Sequence, residues 1–438
     1  GWIDFNRNGD LDPYEDRDLP VDDRVEDLLA RMTLEEKTAQ LATLYGYRRV
    51  LKDPLPSDEW NTRAWKHGIG NIDEHLNNSL PNIRSGATRE YSYPHDAHVR
   101  AKNQVQRWFV ENTRLGIPVD FSNEGIRGLC HDSATSFPAQ IGIGASWDAE
   151  LVYRIGRVVG KEAKALGYSN VYAPILDLPR DPRWGRIVEC YGEDPFLVAA
   201  YGRNMVTGIQ EQGVVSTCKH FAVYGIPKGG RDGYARTDPK VTPREMWELH
   251  LEPFRVAVRE AGALGVMSSY NDWNGIPVSS SRLFLTRILR DHFGFNGYVV
   301  SDSRAVEFPY TKHHTAETYG DAIRGCLEAG LNIRTNFNSP ETFLEPLLEE
   351  VASGRLSMET IDQRVREVLR VKFWQGLFDQ PYADPGTAAA VVRHPDHLAL
   401  SLEASQKSLV LLKNTNDLLP MRVRKGARIL VTGPKADD

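Results

Sequence analysis

Between residues 21 and 375, short apolar runs alternate with stretches of helical periodicity, and each run stops at a polar or charged residue. Val25, Leu28, Leu29 and Met32 fall at helical spacing. Thr33-Leu-Glu-Glu36 has the form of a capping box, in which hydroxyl and carboxylate each satisfy the other's exposed backbone N–H, and it opens the next helix. Thr242-Pro-Arg-Glu245 repeats the device, with proline at the first helical position where an N–H is not needed. The strand-like runs are 68–72 before Asp73, 117–121 before Glu124, 170–176 before Asp177 and 214–218 before Lys219 and His220. Three more are 265–270 before Asn271, 297–301 before Asp302 and 331–333 before Arg334, the last entered from a helix that ends at Glu328-Ala-Gly330.

Apolar strands separated by helices predict βα units and a parallel sheet. Seven of them ahead of one Pro/Gly/Ala stretch favour a closed barrel, with a doubly wound open sheet as the alternative. In a barrel the C-terminal strand ends converge on one face. Glu124, Asp177, Lys219, His220, Asn271 and Asp302 would then share a mouth while lying far apart in the chain. Around the barrel, residues 1–20 are polar and rich in Asp and Asn, and residues 376–400, with Gln380-Pro-Tyr-Ala-Asp-Pro-Gly-Thr-Ala-Ala, read as a linker. A helical stretch is expected near 395–412, and residues 401–438 end on the strand-like Ala427-Arg-Ile-Leu-Val-Thr-Gly-Pro434.

Composition narrows the partners. The 438 residues carry a net charge of −6 with both signs interspersed, and no Lys/Arg-rich run is present, which argues against a nucleic-acid partner. No apolar run is long enough to cross a bilayer, so no membrane partner is expected. Cys130, Cys190, Cys218 and Cys326 lack a metal-binding spacing and are read as buried thiols, which leaves the compartment open. The chain starts at Gly1 with no signal peptide in view, consistent with a removed leader or a trimmed start.

Asp302 is the first candidate for chemistry. A carboxylate at the end of an apolar parallel strand can cap a helix, bind a metal, or attack an anomeric carbon. Two adjacent basic groups, Lys219 and His220, at another strand end are a poor choice for packing alone and supply fixed donors for a hydroxyl-rich ligand. Asp177-Leu-Pro-Arg-Asp-Pro-Arg-Trp-Gly-Arg186 places three arginines beside a tryptophan, either as a solvated loop or as a sugar site with an aromatic platform. At the start of the chain, residues 4–15 fit the EF-hand loop pattern. Calcium ligands would be Asp4, Asn6, Asn8, Asp12 and Glu15, with the Asp10 carbonyl and a sharp turn at Gly9; the competing reading is a turn that caps the first helix. A bound calcium here would be structural.

Taken in order, Met32-Thr-Leu-Glu-Glu-Lys37, Asn123-Glu-Gly-Ile-Arg-Gly128, Thr135-Ser-Phe-Pro138, Asp181-Pro-Arg-Trp-Gly-Arg186 and Lys219-His-Phe221 resemble glycoside hydrolase family 3. The series continues through Met267-Ser-Ser-Tyr-Asn271, Val300-Ser-Asp302, Gly376-Leu-Phe-Asp379 and Leu409-Val-Leu-Leu-Lys-Asn414. The resemblance implies an α/β protein, a TIM-like (β/α)8 barrel followed by the start of an α/β sandwich domain. It implies a retaining, exo-acting β-glycosidase, foremost a β-glucosidase, with a β-xylosidase as the alternative; a non-catalytic glycan-binding barrel is the rival of another class. By the same resemblance Asp302 matches the nucleophile, Glu124 the acid that holds sugar hydroxyls, and Arg186, Lys219 and His220 the donors. Tyr270 matches the tyrosine beside the nucleophile, and Met267 lines the pocket.

The chain departs from the family pattern in two places. Arg127 stands where many relatives have His, and Ser303-Arg304 where many have Trp or Cys-Gly, so the pocket rim differs. The family's N-acetylglucosaminidase branch uses an Asp-His pair in the loop after Lys-His-Phe, and residues 222–233 contain no histidine. The general acid is expected in a second domain beyond Asp438, which makes the chain a fragment or one piece of a longer product. A β-linked oligosaccharide or aryl glycoside is the expected partner, with a homodimer and a periplasmic or secreted location as further expectations.

Overall fold

The computed structural model describes residues 1–78, 91–226, 238–433 and 436. Nine short strands occur among them. Seven form one sheet: β1 (Thr43–Tyr45), β2 (Asn71–Asp73), β3 (Asp120–Glu124), β4 (Asn170–Tyr172), β5 (Val215–Phe221), β6 (Gly265–Ser268) and β9 (Tyr298–Ser301). A separate antiparallel pair, β7 (Asp272–Trp273) and β8 (Ile276–Pro277), lies between β6 and β9 in the chain. Every pairing in the large sheet is parallel, in the order β1-β2-β3-β4-β5-β6-β9.

The sheet closes through residues 333 and 334. Ile333 bridges Val300, Arg334 bridges Ala42, Arg334 N donates to Leu41 O at 2.9 Å, and Thr43 N donates to Arg334 O at 3.0 Å. This stave takes the place of an eighth strand and makes the sheet a barrel. Helices follow the staves, among them His95–Asn112, Ala149–Ala165, Pro195–Gln210, Tyr319–Ala329 and Met358–Trp374. Six of the seven strands are buried along their whole length, and in β3 only the last residue, Glu124, is half-buried, as expected where helices cover one face and side chains fill the interior.

Local signals account for the helix starts. Thr33 accepts from Glu36 N at 3.3 Å while Thr33 N donates to the Glu36 carboxylate at 2.8 Å, completing the capping box before Leu34–Ala39. Helix Tyr319–Ala329 starts with a second box, Thr318 and Asp321, and stops at Gly330 in the left-handed region, at φ 118°.

Three expectations need correction. β1 has no predicted run, because Leu41 and Ala42 follow helix Leu34–Ala39 without a turn residue to mark the change. The run at 331–333 supplies single bridges instead of a ladder. Residues 427–433 form no strand among the described residues; Ile429, Leu430 and Val431 are 59%, 87% and 69% exposed, and an extended run without a partner strand has nothing to pair with. The helical stretch near 395–412 is Pro395–Lys407, and a short helix, Pro385–Val391, lies in the Pro/Gly/Ala segment. All four cysteines are free; Cys190, Cys218 and Cys326 are buried and Cys130 is half-buried. No helix among the described residues is long and apolar enough to cross a membrane.

Candidate active site

Asp302 follows β9 directly and is held at the barrel mouth. Its N–H donates to Ser268 O at the end of β6, at 3.3 Å. Its two carboxylate oxygens have different surroundings. Oδ1 accepts from the Tyr270 hydroxyl and from Ser303 N–H, each at 2.7 Å. Oδ2 accepts no hydrogen bond among the described residues; His220 Nε2 lies 3.5 Å away and Arg186 Nη1 3.8 Å away. One oxygen is therefore fixed by two hydrogen bonds, while the other is buried beside two basic groups. Burial pushes the Asp302 carboxyl above its ordinary range, and the Arg186 guanidinium, the Tyr270 hydroxyl, the Lys219 ammonium and the Ser303 N–H pull it back toward ionisation.

Lys219 and His220 come from β5, where adjacent side chains would ordinarily point to opposite faces. The β5–β6 register shifts between Cys218 and Phe221, an irregularity of the kind that re-aims side chains, and both residues serve one pocket. Lys219 Nζ donates to both Glu124 oxygens, at 2.7 and 2.6 Å. Residues 174–176 run alongside, with Leu176 N donating to Lys219 O at 2.6 Å, and this brings Asp177 next to His220. His220 Nδ1 and Asp177 Oδ2 are 2.7 Å apart, both side chains 1% exposed. Arg186 is gripped from the other side by Glu189, Nε to Oε1 at 3.1 Å and Nη2 to Oε2 at 2.7 Å. Burial opposes the Arg186 charge, yet the Glu189 hydrogen bond and the carboxylates of Glu189 and Asp302 hold its pKa well above the ordinary value.

Behind these groups sits an aromatic cluster separate from the main core: Trp184, Tyr224, Tyr270 and Phe308 with Ile175, Cys190 and Ala305. Trp184 meets Tyr224 edge-on at 5.1 Å, and Tyr224 meets His220 at 5.4 Å. On the β1–β2 side, the Tyr45 hydroxyl lies 3.1 Å from Ser303 Oγ, and Arg49 pairs with Glu74 at 2.8 Å. Burial raises Glu74 above its usual range and pushes its neighbour Asp73 up to about 8.

The structure thus gathers Glu124, Arg186, Lys219, His220, Tyr270 and Asp302 at one end of the barrel. Met267 is buried in β6 within the main core. Asn271, expected at the mouth, instead turns its amide to the carbonyls of Ala222 and Asp272, at 3.3 and 3.2 Å, stitching the loop backbone. Asp177 stands behind His220, not at the opening. Glu189, Tyr224, Tyr45 and Arg49 carried no signal from run ends, although Glu189 lies three residues after Arg186, a spacing at which opposite charges meet. Of the loop at 222–233, whose lack of histidine separates the chain from the N-acetylglucosaminidase branch, residues 227–233 lie outside the described residues.

In the N-terminal loop, Asp4 accepts from Asn8 N and Gly9 N at 3.1 and 2.9 Å, and Asp10 N donates to Asn8 Oδ1 at 2.7 Å. The Asp12 carboxylate accepts from Asn6 Nδ2, at 2.5 Å, and from Asn8 Nδ2, at 2.8 Å, and pairs with Arg31, at 2.8 Å. Glu15 accepts from Phe5 N at 2.7 Å and from Asp12 N at 3.2 Å. No group of three or more His, Cys, Asp or Glu side chains among the described residues is arranged to hold a metal ion.

A carboxylate near two basic groups, ringed by donors and acceptors suited to hydroxyls, can attack an electrophilic carbon in a polyhydroxylated ligand. Comparison with known proteins agrees with that chemistry. The profile of the glycosyl hydrolase family 3 N terminal domain matches residues 33–371. A putative beta-xylosidase of Formosa agariphila is 33% identical, across 97% of this chain and 55% of that protein. A periplasmic beta-glucosidase of Salmonella typhimurium is 32% identical, across 94% of this chain and 50% of its own length. The solved structure of a β-glucosidase from Erythrobacter marinus superposes with a TM-score of 0.83 at 32% identity, covering 94% of this chain and 52% of that one. The chain spans about half the length of the curated relatives it matches. It belongs to glycosyl hydrolase family 3.

Proposed function

We propose that this member of glycosyl hydrolase family 3 carries the nucleophilic half of a retaining, exo-acting β-glycosidase, with Asp302 as the nucleophile. The observation that carries the proposal is the inequality of the two Asp302 oxygens: Oδ1 is fixed by Tyr270 and Ser303, and Oδ2, buried and without a hydrogen bond among the described residues, lies beside Arg186 and His220. The Asp302 carboxylate attacks the anomeric carbon, the glycosidic oxygen leaves with a proton from a carboxylic acid, and water later releases the sugar with retention. Glu124, Lys219, Arg186 and His220 hold the hydroxyls of the non-reducing sugar.

The acid belongs elsewhere. Glu124 has both oxygens on Lys219, and Asp177 is enclosed behind His220. The relatives' additional length is where we place it. The substrate is a β-linked oligosaccharide or aryl glycoside, with a glucosyl unit at the cleaved end. A xylosyl unit is the second reading. It is favoured by Glu124, whose side chain is one methylene longer than the Asp found in many glucosidases and is drawn toward the pocket by Lys219, and by the Formosa relative's name. A periplasmic location is suggested by the name of the Salmonella relative. Calcium in the 4–15 loop rests on the sequence pattern alone and takes no part in this chemistry.

The test is covalent trapping with dinitrophenyl 2-deoxy-2-fluoro-β-glucoside and the matching xyloside, whose good leaving group needs no acid. The expected result is a mass increase of one fluorosugar on the peptide that contains Asp302, faster with one sugar than the other, and none in Asp302→Ala. Label on another residue removes the assignment. Sugar binding by calorimetry without label from either reagent establishes the glycan-binding module instead.

A further inference from the structure

Asp177 lies outside the opening of the pocket, yet it is built into the pocket's charge arrangement. Its Oδ2 meets His220 twice, at the backbone N–H (3.3 Å) and at Nδ1 (2.7 Å). Across the same imidazole, Nε2 faces Asp302 Oδ2 at 3.5 Å. Tyr224 packs edge-on against the ring at 75° and limits its rotation. An imidazole committed through one nitrogen to a carboxylate has the proton on its other nitrogen decided by that carboxylate.

Consider the Asp177–His220 pair with one acidic proton between them. As carboxylate and imidazolium, both ring nitrogens carry hydrogen. As carboxylic acid and neutral imidazole, the Asp177 hydroxyl donates to Nδ1 and the ring hydrogen sits on Nε2. Both forms present an N–H to Asp302. Loss of the shared proton leaves Nδ1–H donating to the carboxylate and a bare lone pair at Nε2, facing Asp302 Oδ2.

We propose that Asp177 is a positioning residue that, sharing one proton with His220, keeps an N–H on Nε2 directed at Asp302 Oδ2. The inference rests on the reading of Asp302 as nucleophile. That N–H offsets the cost of an ionised carboxylate in a buried site, and it stabilises the carboxylate when it departs as the glycosyl-enzyme is hydrolysed. Charged and titratable groups surround the pair on both sides. Arg186, Glu189, Cys190 and Asp302 face Asp177, and Arg186, Lys219, Tyr270 and Tyr224 face Asp302. Burial pushes the Asp177 carboxyl up to about 8 against the pull of Arg186, so the enclosed acid holds its proton at neutral pH.

The experiment follows the rate of fluorosugar trapping against pH, by intact mass, in the wild type, Asp177→Asn and Asp177→Glu. The wild-type rate is expected to fall on the alkaline side within about one unit of pH 8 as the pair gives up its proton. Asp177→Asn has no such proton; it loses that limb and traps on the order of 10- to 100-fold more slowly, by analogy with the loss seen when the carboxylate partner of a metal-ligating histidine is changed. Asp177→Glu restores the limb. A folded Asp177→Asn protein with the wild-type rate and limb overturns the proposal. If the amide variant does not fold, the wild type decides alone, since absence of an alkaline limb overturns the proposal too. A wild type that is never labelled counts against the nucleophile assignment instead, which keeps the two failures distinct.

Discussion

The Tyr270 hydroxyl and the Ser303 N–H both spend their donors on Oδ1 of Asp302, which fixes the carboxylate plane and leaves Oδ2 without a hydrogen bond among the described residues. Tyr270→Phe removes one donor and leaves the ring packed against Phe308, 5.4 Å away. A hydrogen bond to a charged group is worth about 1.5–3 kcal/mol, so trapping is expected to slow roughly ten- to a hundredfold. The pH profile moves in a defined direction. The Tyr270 hydrogen bond lowers the Asp302 pKa against the raising effect of burial. Removing it raises that pKa, and the acid limb, where the proposed nucleophile must ionise, shifts to higher pH. A limb that stays in place, or shifts downward, refutes the account of Oδ1. Asp302, Lys219 and His220 were legible in the sequence because each ends or nearly ends an apolar run. Tyr45 and Arg49 were not, because their roles come from partners reached across the fold, Ser303 and Glu74, whereas Glu189 sits three residues from Arg186 but ends no apolar run.

Among the elements, β9 illustrates how a strand can be read from sequence while its register cannot. The run 297–301 predicts a strand leading to Asp302, and β9 covers Tyr298–Ser301. What sets its height against β6 is Gly297. A Cβ there would lie 2.0 Å from Leu264 O, the carbonyl that accepts from Tyr298 N at 3.2 Å. Backbone cannot yield as a side-chain tip can. Gly297→Ala is therefore expected to cost about 1–3 kcal/mol, by the overpacking range. It should also slow trapping at Asp302, five residues on, because β9 must slide or tilt to make room. An unchanged melting temperature together with an unchanged trapping rate would show that the approach is not tight. The same contrast explains β1. Thr43 and Leu44 are fully buried, and Thr43 N closes the barrel on Arg334 O, but the preceding helix gives no sequence mark of where it stops. Capping boxes and strand ends are local and legible, whereas closure by Ile333 and Arg334 depends on residues nearly 300 positions away in the chain.

For the molecule as a whole, the N-terminal loop ties the two ends of the barrel together. Phe5 and Tyr14, both fully buried, pack on Phe378 at ring distances of 5.4 and 6.3 Å, and Phe378 stacks on Phe373 of the last barrel helix at 4.0 Å. Arg24 pairs with Asp379 at 3.0 Å, and Arg7 donates to the carbonyls of Val110 and Thr113, at 2.9 and 2.6 Å. The sequence flags residues 4–15 as a cation loop. In the structure their acceptors point to backbone N–H groups, to the Asn6 and Asn8 amides and to Arg31, which makes the loop a hydrogen-bonded tie between chain start, first helix and last helix. Glu15 is its keystone. It is 3% exposed, and its carboxylate accepts from the N–H groups of Phe5 and Asp12. Glu15→Ala leaves those buried donors unsatisfied, at about 1–3 kcal/mol. The expected outcome is a lower melting temperature by the same amount in calcium and in chelator, with the trapping rate at Asp302 unchanged below the transition, because the tie lies outside the pocket. A wild-type melting temperature that rises with calcium, in a way that Glu15→Ala abolishes, would make the metal the tie and the hydrogen bonds its scaffold.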